Sequence, residues 1–242
     1  MKITRTGLMT DQDNSGAETP LQGVSDLRVW DLPVRLMHWG LVIALGVCWW
    51  SGVNNELQYH LYSGYAALWI VLMRIYWGLV GSDTARFTSF VRGPGAVLDY
   101  ARKLHRRDAS HSHGHNPLGA VSVVLMLALV LTVVCLGLFA VDVDGLYSGP
   151  LSVYVSFKQG RHLARLHYRW FTYLEWLVAL HLIAVAFYLA YKRENLIRAM
   201  ITGKRRGAPG GAQMQHAPWW RFLLGAVIVS VIVYGVSTSF YF

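Results

Sequence analysis

Polar and apolar positions fall in long blocks along this chain. Five runs of some twenty largely apolar residues alternate with polar, mostly basic connections. Runs of this length read as membrane-spanning helices. The first covers about 36–52, the second 60–80 and the third 117–140, which carries no charge. The fourth opens at His167 and closes on the charged knot Lys192-Arg193-Glu194, and the fifth covers about 219–241. The link 53–59 has one acid, Glu56, and is so short that the second helix must lie antiparallel beside the first. We read 86–107 as a basic connection, 141–166 as a mixed loop and 192–216 as a second basic connection.

Composition supports the block pattern. Of 242 residues, 54% are hydrophobic and 14% charged, against about 25% charged in ordinary globular chains. The net charge of +9 in a soluble protein would suggest nucleic acid. Here the basic residues sit between apolar runs, so topology explains them better and no nucleic-acid partner is expected. For five spans, seventeen Lys and Arg fall on one side, and Lys158, Arg161, Arg165 and Arg169 on the other. That bias predicts a cytoplasmic N-terminus and a periplasmic C-terminus in a bacterial inner membrane. The first twenty-six residues are polar, so no cleavable signal peptide is expected, and 12–23 reads as disordered. Cys48 and Cys135 lie inside apolar runs. They make no disulfide framework, and the absence of C-x-x-C-H excludes covalent c-type haem.

The chemistry lies in histidines within the runs. His167 and His181 are fourteen residues apart on one helix, roughly 21 Å and about four turns, so both rings project to nearly one side. An imidazole in hydrocarbon is costly unless something satisfies it, and a metal ion does. Topology gives two more histidines a depth. His38 lies near the inner end of the first run, with His181, and His60 opens the second run at the outer end, with His167. The pairs His38/His181 and His60/His167 therefore suit two haems stacked across the bilayer. With both axial positions filled by histidine, such iron shuttles electrons and does not readily bind oxygen or substrate. Haem propionates need cations. Arg35 and Arg74 are candidates inside, and Arg161, Arg165 and Arg169 outside.

These residues sit in a set of motifs. In order they are Val29-Trp30-Asp31-Leu32-Pro33-Val34-Arg35-Leu36-Met37-His38-Trp39, His60 with Gly64-Tyr65, Arg74 with Trp77-Gly78, and Ala85-Arg86-Phe87. Val91-Arg92-Gly93-Pro94, Gly114-His115-Asn116-Pro117, His167, His181 and the stretch from Arg193 to Gly203 complete them. The set resembles the prokaryotic cytochrome b561 / Ni,Fe-hydrogenase b-type cytochrome group over about 29–204. The resemblance implies a four-helix transmembrane bundle holding two b haems on His38, His60, His167 and His181, with Arg35, Gly64 and Arg74 at the cofactor. It also points to a quinone region around His115, Asn195 and Arg198. At Tyr168 the chain departs from the family, where Glu usually follows the histidine.

The expected organisation is a cytoplasmic tail over 1–28, a dihaem domain over 29–204, a linker over 205–217 and an added fifth helix over 218–242. His115 either lines a quinone pocket or caps the third run. His105, His111, His113 and His115 form a histidine-rich tract, a weak candidate for metal. Glu175 lies between the two proposed haems in depth and reads as a protonated packing residue or a proton relay. Three functions stand open. One is a dihaem cytochrome linking ubiquinone or menaquinone to a periplasmic c-type cytochrome or oxidoreductase subunit. The second is a superoxide:quinone oxidoreductase acting alone. The third is an accessory subunit of a larger respiratory or photosynthetic complex, docked by the fifth helix. Whether the chain is an enzyme by itself is left open.

Overall fold

The computed structural model describes residues 25–105, 116–145, 147–207 and 214–240. The tail 1–24, with the stretch read as disordered, and most of the histidine-rich tract, including His115, lie outside them. Five helices are long and apolar enough to cross a membrane. They are α1 (Leu32–Val53), α2 (Leu57–Val80), α5 (Pro117–Leu138), α6 (Phe157–Ala190) and α8 (Trp219–Ser237). Short helices α3 (Phe87–Phe90), α4 (Pro94–Arg102) and α7 (Leu196–Thr202) lie in the basic connections.

The helix starts are written in local chemistry. Asp31 caps α1, its carboxylate accepting from the Val34 N–H at 2.8 Å, with proline in the first turn. Asn116, not His115, caps α5 by accepting from the Gly119 N–H at 2.7 Å. α6 begins ten residues before His167, within the stretch expected to be a loop. Ser156 and Gln159 form a capping box there, each satisfying a backbone donor of the other. At 34 residues α6 is roughly 51 Å long against a hydrocarbon core of about 30 Å. It is therefore longer than a span requires by roughly 21 Å, and its charged first turns carry Lys158, Arg161 and Arg165.

α2 is the centre of the bundle. α1 lies along it, α8 packs on it, and α5 touches it while running along α6. Val34, Met37, Met73, Trp77 and Val229 form one core joining α1, α2 and α8. Val71, Val130 and Leu174 form another joining α2, α5 and α6. The fifth span is thus part of the core: Gly225 on α8 lets the Tyr76 ring close on its backbone, and Trp69 donates to Ser230 at 3.0 Å. α1 and α6 hardly touch.

A two-stranded antiparallel ribbon, β1 (Ser25–Arg28) with β2 (Lys204–Gly207), joins the two ends of the motif region. β1 ends at Arg28 and β2 begins at Lys204. The Val29 N–H donates to the Gly203 carbonyl at 2.8 Å. Gly203 is left-handed (φ 76°), and a Cβ there would come within 2.7 Å of the Trp30 carbonyl oxygen, so glycine is required.

Candidate haem site

His60 stands in the first turn of α2, and His167 in the third turn of α6. Their rings face each other with centroids 5.9 Å apart and planes at 82°. Metal–imidazole bonds of about 2.0–2.1 Å put two ring centroids on one ion about 6 Å apart, so the pair has the spacing for a shared metal.

The other ring nitrogen of each histidine is engaged. Nδ1 of His60 lies 2.9 Å from the Cys48 carbonyl oxygen, and Nδ1 of His167 lies 2.8 Å from that of Val133. A carbonyl only accepts, so each Nδ1 carries the proton and each Nε2 is left as a bare lone pair. That is the outer-shell arrangement typical of a metal-binding histidine. Neighbouring glycines make room for the rings. A Cβ at Gly52 would lie 3.4 Å from the His60 ring, and one at Gly137 3.0 Å from the His167 ring. Gly64, one turn along α2 from His60, would place a Cβ where nothing stands within 4 Å. The residues at this end fit an axially ligated haem.

His38 and His181 lie within electrostatic reach of each other, on the two helices that hardly touch. Nδ1 of His38 is buried and has no hydrogen-bond partner. An orphaned imidazole nitrogen in a membrane span is costly, and a ligand to His38 would account for its retention.

The cations read as propionate partners are engaged differently. Arg35 donates through Nη2 to the Ile201 carbonyl at 2.5 Å, while its Nε is buried without a partner. Arg74 is buried, 8% exposed, and donates through Nη1 to the Ala85 carbonyl at 3.2 Å. Its guanidinium lies 5.2 Å from the centre of the Phe87 ring, which itself sits where a Cβ on Gly78 would be. Asp31 completes this region. Its Oδ2 accepts from Trp77 at 2.8 Å and from Ser82 at 2.6 Å. Arg161 donates to the Val141 carbonyl at 3.3 Å.

Of the residues assigned to quinone, His115 lies outside the described residues. The Asn195 side chain caps α7, accepting from the Arg198 N–H at 2.8 Å, and both residues are exposed. Nearby, three side chains that sequence reasoning passed over meet. The Tyr188 hydroxyl lies 2.9 Å from that of Tyr100 and accepts from Asn116 Nδ2 at 2.8 Å. Glu175 is exposed on α6. Among the described residues no group of three or more His, Cys, Asp or Glu is arranged to hold a bare metal ion.

Comparison with curated proteins and with solved structures returned no match. The family model of prokaryotic cytochrome b561 matches residues 29–203, well over half of the chain, including His38, His60, His167 and His181. The chain belongs to the prokaryotic cytochrome b561 family and is a multi-pass membrane b-type cytochrome of electron transfer.

Proposed function

We propose that the protein carries electrons across the membrane between quinone, ubiquinone or menaquinone, and a periplasmic redox partner, a c-type cytochrome or an oxidoreductase subunit. In this reading two b haems are held, one by His60 and His167 and one by His38 and His181. The observation that carries it is the His60/His167 pair, with rings 5.9 Å apart and each Nδ1 on a backbone carbonyl. Bound there, held by His60 and His167, haem would supply one-electron redox chemistry.

The chain's residues do the rest. The carbonyls of Cys48 and Val133 orient the two imidazoles and keep Nε2 free. Gly64 leaves the space beside His60 open. α6 carries one ligand of each pair, fixing the spacing of the two sites at roughly 21 Å along its axis. The positive-inside bias puts His60/His167 on the periplasmic side and His38/His181 on the cytoplasmic side. Quinone would then react at the inner end, where Asn195 and Arg198 lie. Purified protein tests the reading. Quinol should reduce the haem in the wild type and fail to reduce an outer haem when His181→Leu removes the inner one. Full reduction by quinol in that variant would refute the route.

A second reading has one observation behind it. Lys158, His162, Arg165 and Arg169 recur at helical spacing on the first turns of α6, and His162, Arg165 and Arg169 are exposed. Such a basic stripe beside His167 would draw in an anion, superoxide included. Stopped-flow mixing with superoxide, without a protein partner, separates the two. Haem reduction within the mixing time supports this second activity, and none rejects it.

A further inference from the structure

At the end of the bundle where α1 and α8 begin there is a cavity of about 370 Å³. It is lined by Arg28, Arg35, Lys204 and His216, and by the indoles of Trp30, Trp77 and Trp219. The matched family region is 29–203. Arg28, Lys204, His216 and Trp219 all fall outside it, so the ribbon and the segment leading into the added helix complete a cavity whose other walls belong to the family region.

Two observations say that the cavity wants an anion. Arg28 and Lys204 are directly opposed in the antiparallel ribbon, which puts like charges side by side and is destabilising unless something neutralises them. Neither is in either of the described ion pairs Arg102–Asp99 and Arg205–Glu194. The second observation is Arg35, whose Nε is buried without an acceptor in the same wall. The one acid of the lining, Asp31, is committed elsewhere. Its two oxygens take the Val34 N–H, the Trp77 indole and the Ser82 hydroxyl.

Position narrows the choice. The cavity lies level with the first residues of two spans and is flanked by tryptophans, the side chains that settle at headgroup depth. Basic pockets between spans at this depth suit phospholipid headgroups. We propose that the cavity binds a phosphate-bearing anion, and that its occupant is the headgroup of an anionic phospholipid from the leaflet at that end of the bundle. Arg28 and Lys204 hold the phosphate from the ribbon, Arg35 closes over it from α1, and His216, just before α8, and Trp219, its first residue, border it. The site ties the added helix to the haem-bearing bundle through a lipid.

Native mass spectrometry of the full-length, haem-loaded protein in detergent tests this. The probes are phosphatidylglycerol, phosphatidylcholine and inorganic phosphate. Phosphatidylglycerol should be retained in preference to phosphatidylcholine. Arg28→Gln with Lys204→Gln should weaken it by about tenfold or more, with haem content unchanged. His216→Gln, which leaves the ribbon charges in place, should weaken it less and serves if the double variant does not fold. Displacement of the lipid by phosphate at submillimolar concentration would keep the site and name free phosphate as a second source. Equal retention of the two lipids, or unchanged phosphatidylglycerol affinity in both variants, would overturn the proposal. So would loss of haem at unchanged lipid affinity, because the cations would then serve the porphyrin. Haem content is read separately, so failure here leaves the electron-transfer reading untouched.

Discussion

At the His60/His167 end of the bundle the backbone holds both rings. A carbonyl from α1 takes the His60 proton and a carbonyl from α5 takes the His167 proton, and the rings stand 5.9 Å apart. At the His38/His181 end the chain provides less. His38 Nδ1 is buried with nothing to donate to, and the helices carrying the two rings hardly touch. The nearby polar groups that are satisfied engage other parts of the protein instead: Asp31 accepts from the Trp77 indole and the Ser82 hydroxyl, and Arg35 donates to the Ile201 carbonyl. On the proposed dihaem reading, one site is oriented by the protein before any ligand is considered, and the other would depend on its ligand for orientation. Outer-shell contacts of the first kind are worth about 10–100-fold in metal affinity, so the two sites should differ in how firmly they hold haem.

The largest expected effect removes one site at a time. His60→Leu or His167→Leu should leave one haem per chain, and so should His38→Leu or His181→Leu, with the complementary half of the spectrum surviving. A pyridine haemochrome assay beside a low-temperature α-band spectrum reads both numbers. If either outer variant sheds both haems, the sites are not independent and the comparison fails.

Gly137→Val comes next. Its Cβ would start 3.0 Å from the His167 ring, and the added methyls would push the ring off the Val133 carbonyl. Outer-haem affinity should fall about 10–100-fold while the inner band is unaffected. An unchanged outer band would mean that the ring has room to spare.

Without any mutation, challenge with a haem scavenger such as apomyoglobin should strip the inner site first, roughly tenfold faster than the outer. Equal rates would show that the carbonyl contacts add nothing to retention. The smallest effect is expected from Asp31→Asn, which turns one acceptor of the Trp77 and Ser82 donors into a donor. A cost of about 1–3 kcal/mol should lower the melting temperature, with both α-bands still present.

Much of this plan could be read from residue types, for definite reasons. The ends of the apolar runs give each histidine an expected depth, and the structure brings the His60 and His167 rings to 5.9 Å. The helix at Phe157–Leu166 was hidden because Lys158, Arg161 and Arg165 give it the composition of a loop, while the Ser156/Gln159 box that starts it is a short signal. The carbonyls of Cys48 and Val133 leave no mark in sequence, since every residue has one. Gly52 and Gly137 look like any glycine in a membrane span until the rings beside them are placed. Arg74 is a propionate candidate in the sequence, but its contacts to Ala85 and Phe87 depend on a chain reversal after α2 that no periodicity encodes. The ribbon joining 25–28 to 204–207 pairs segments far apart in sequence and short enough to carry no pattern of their own.

Two ligand pairs on one chain are the centre of the account, and haem stoichiometry read with a redox titration tests them most directly. Purified protein should carry two haem b per chain, titrating as two one-electron components, with one component lost in His181→Leu and the other in His60→Leu. One haem per chain, or a single component that survives both substitutions, would contradict it.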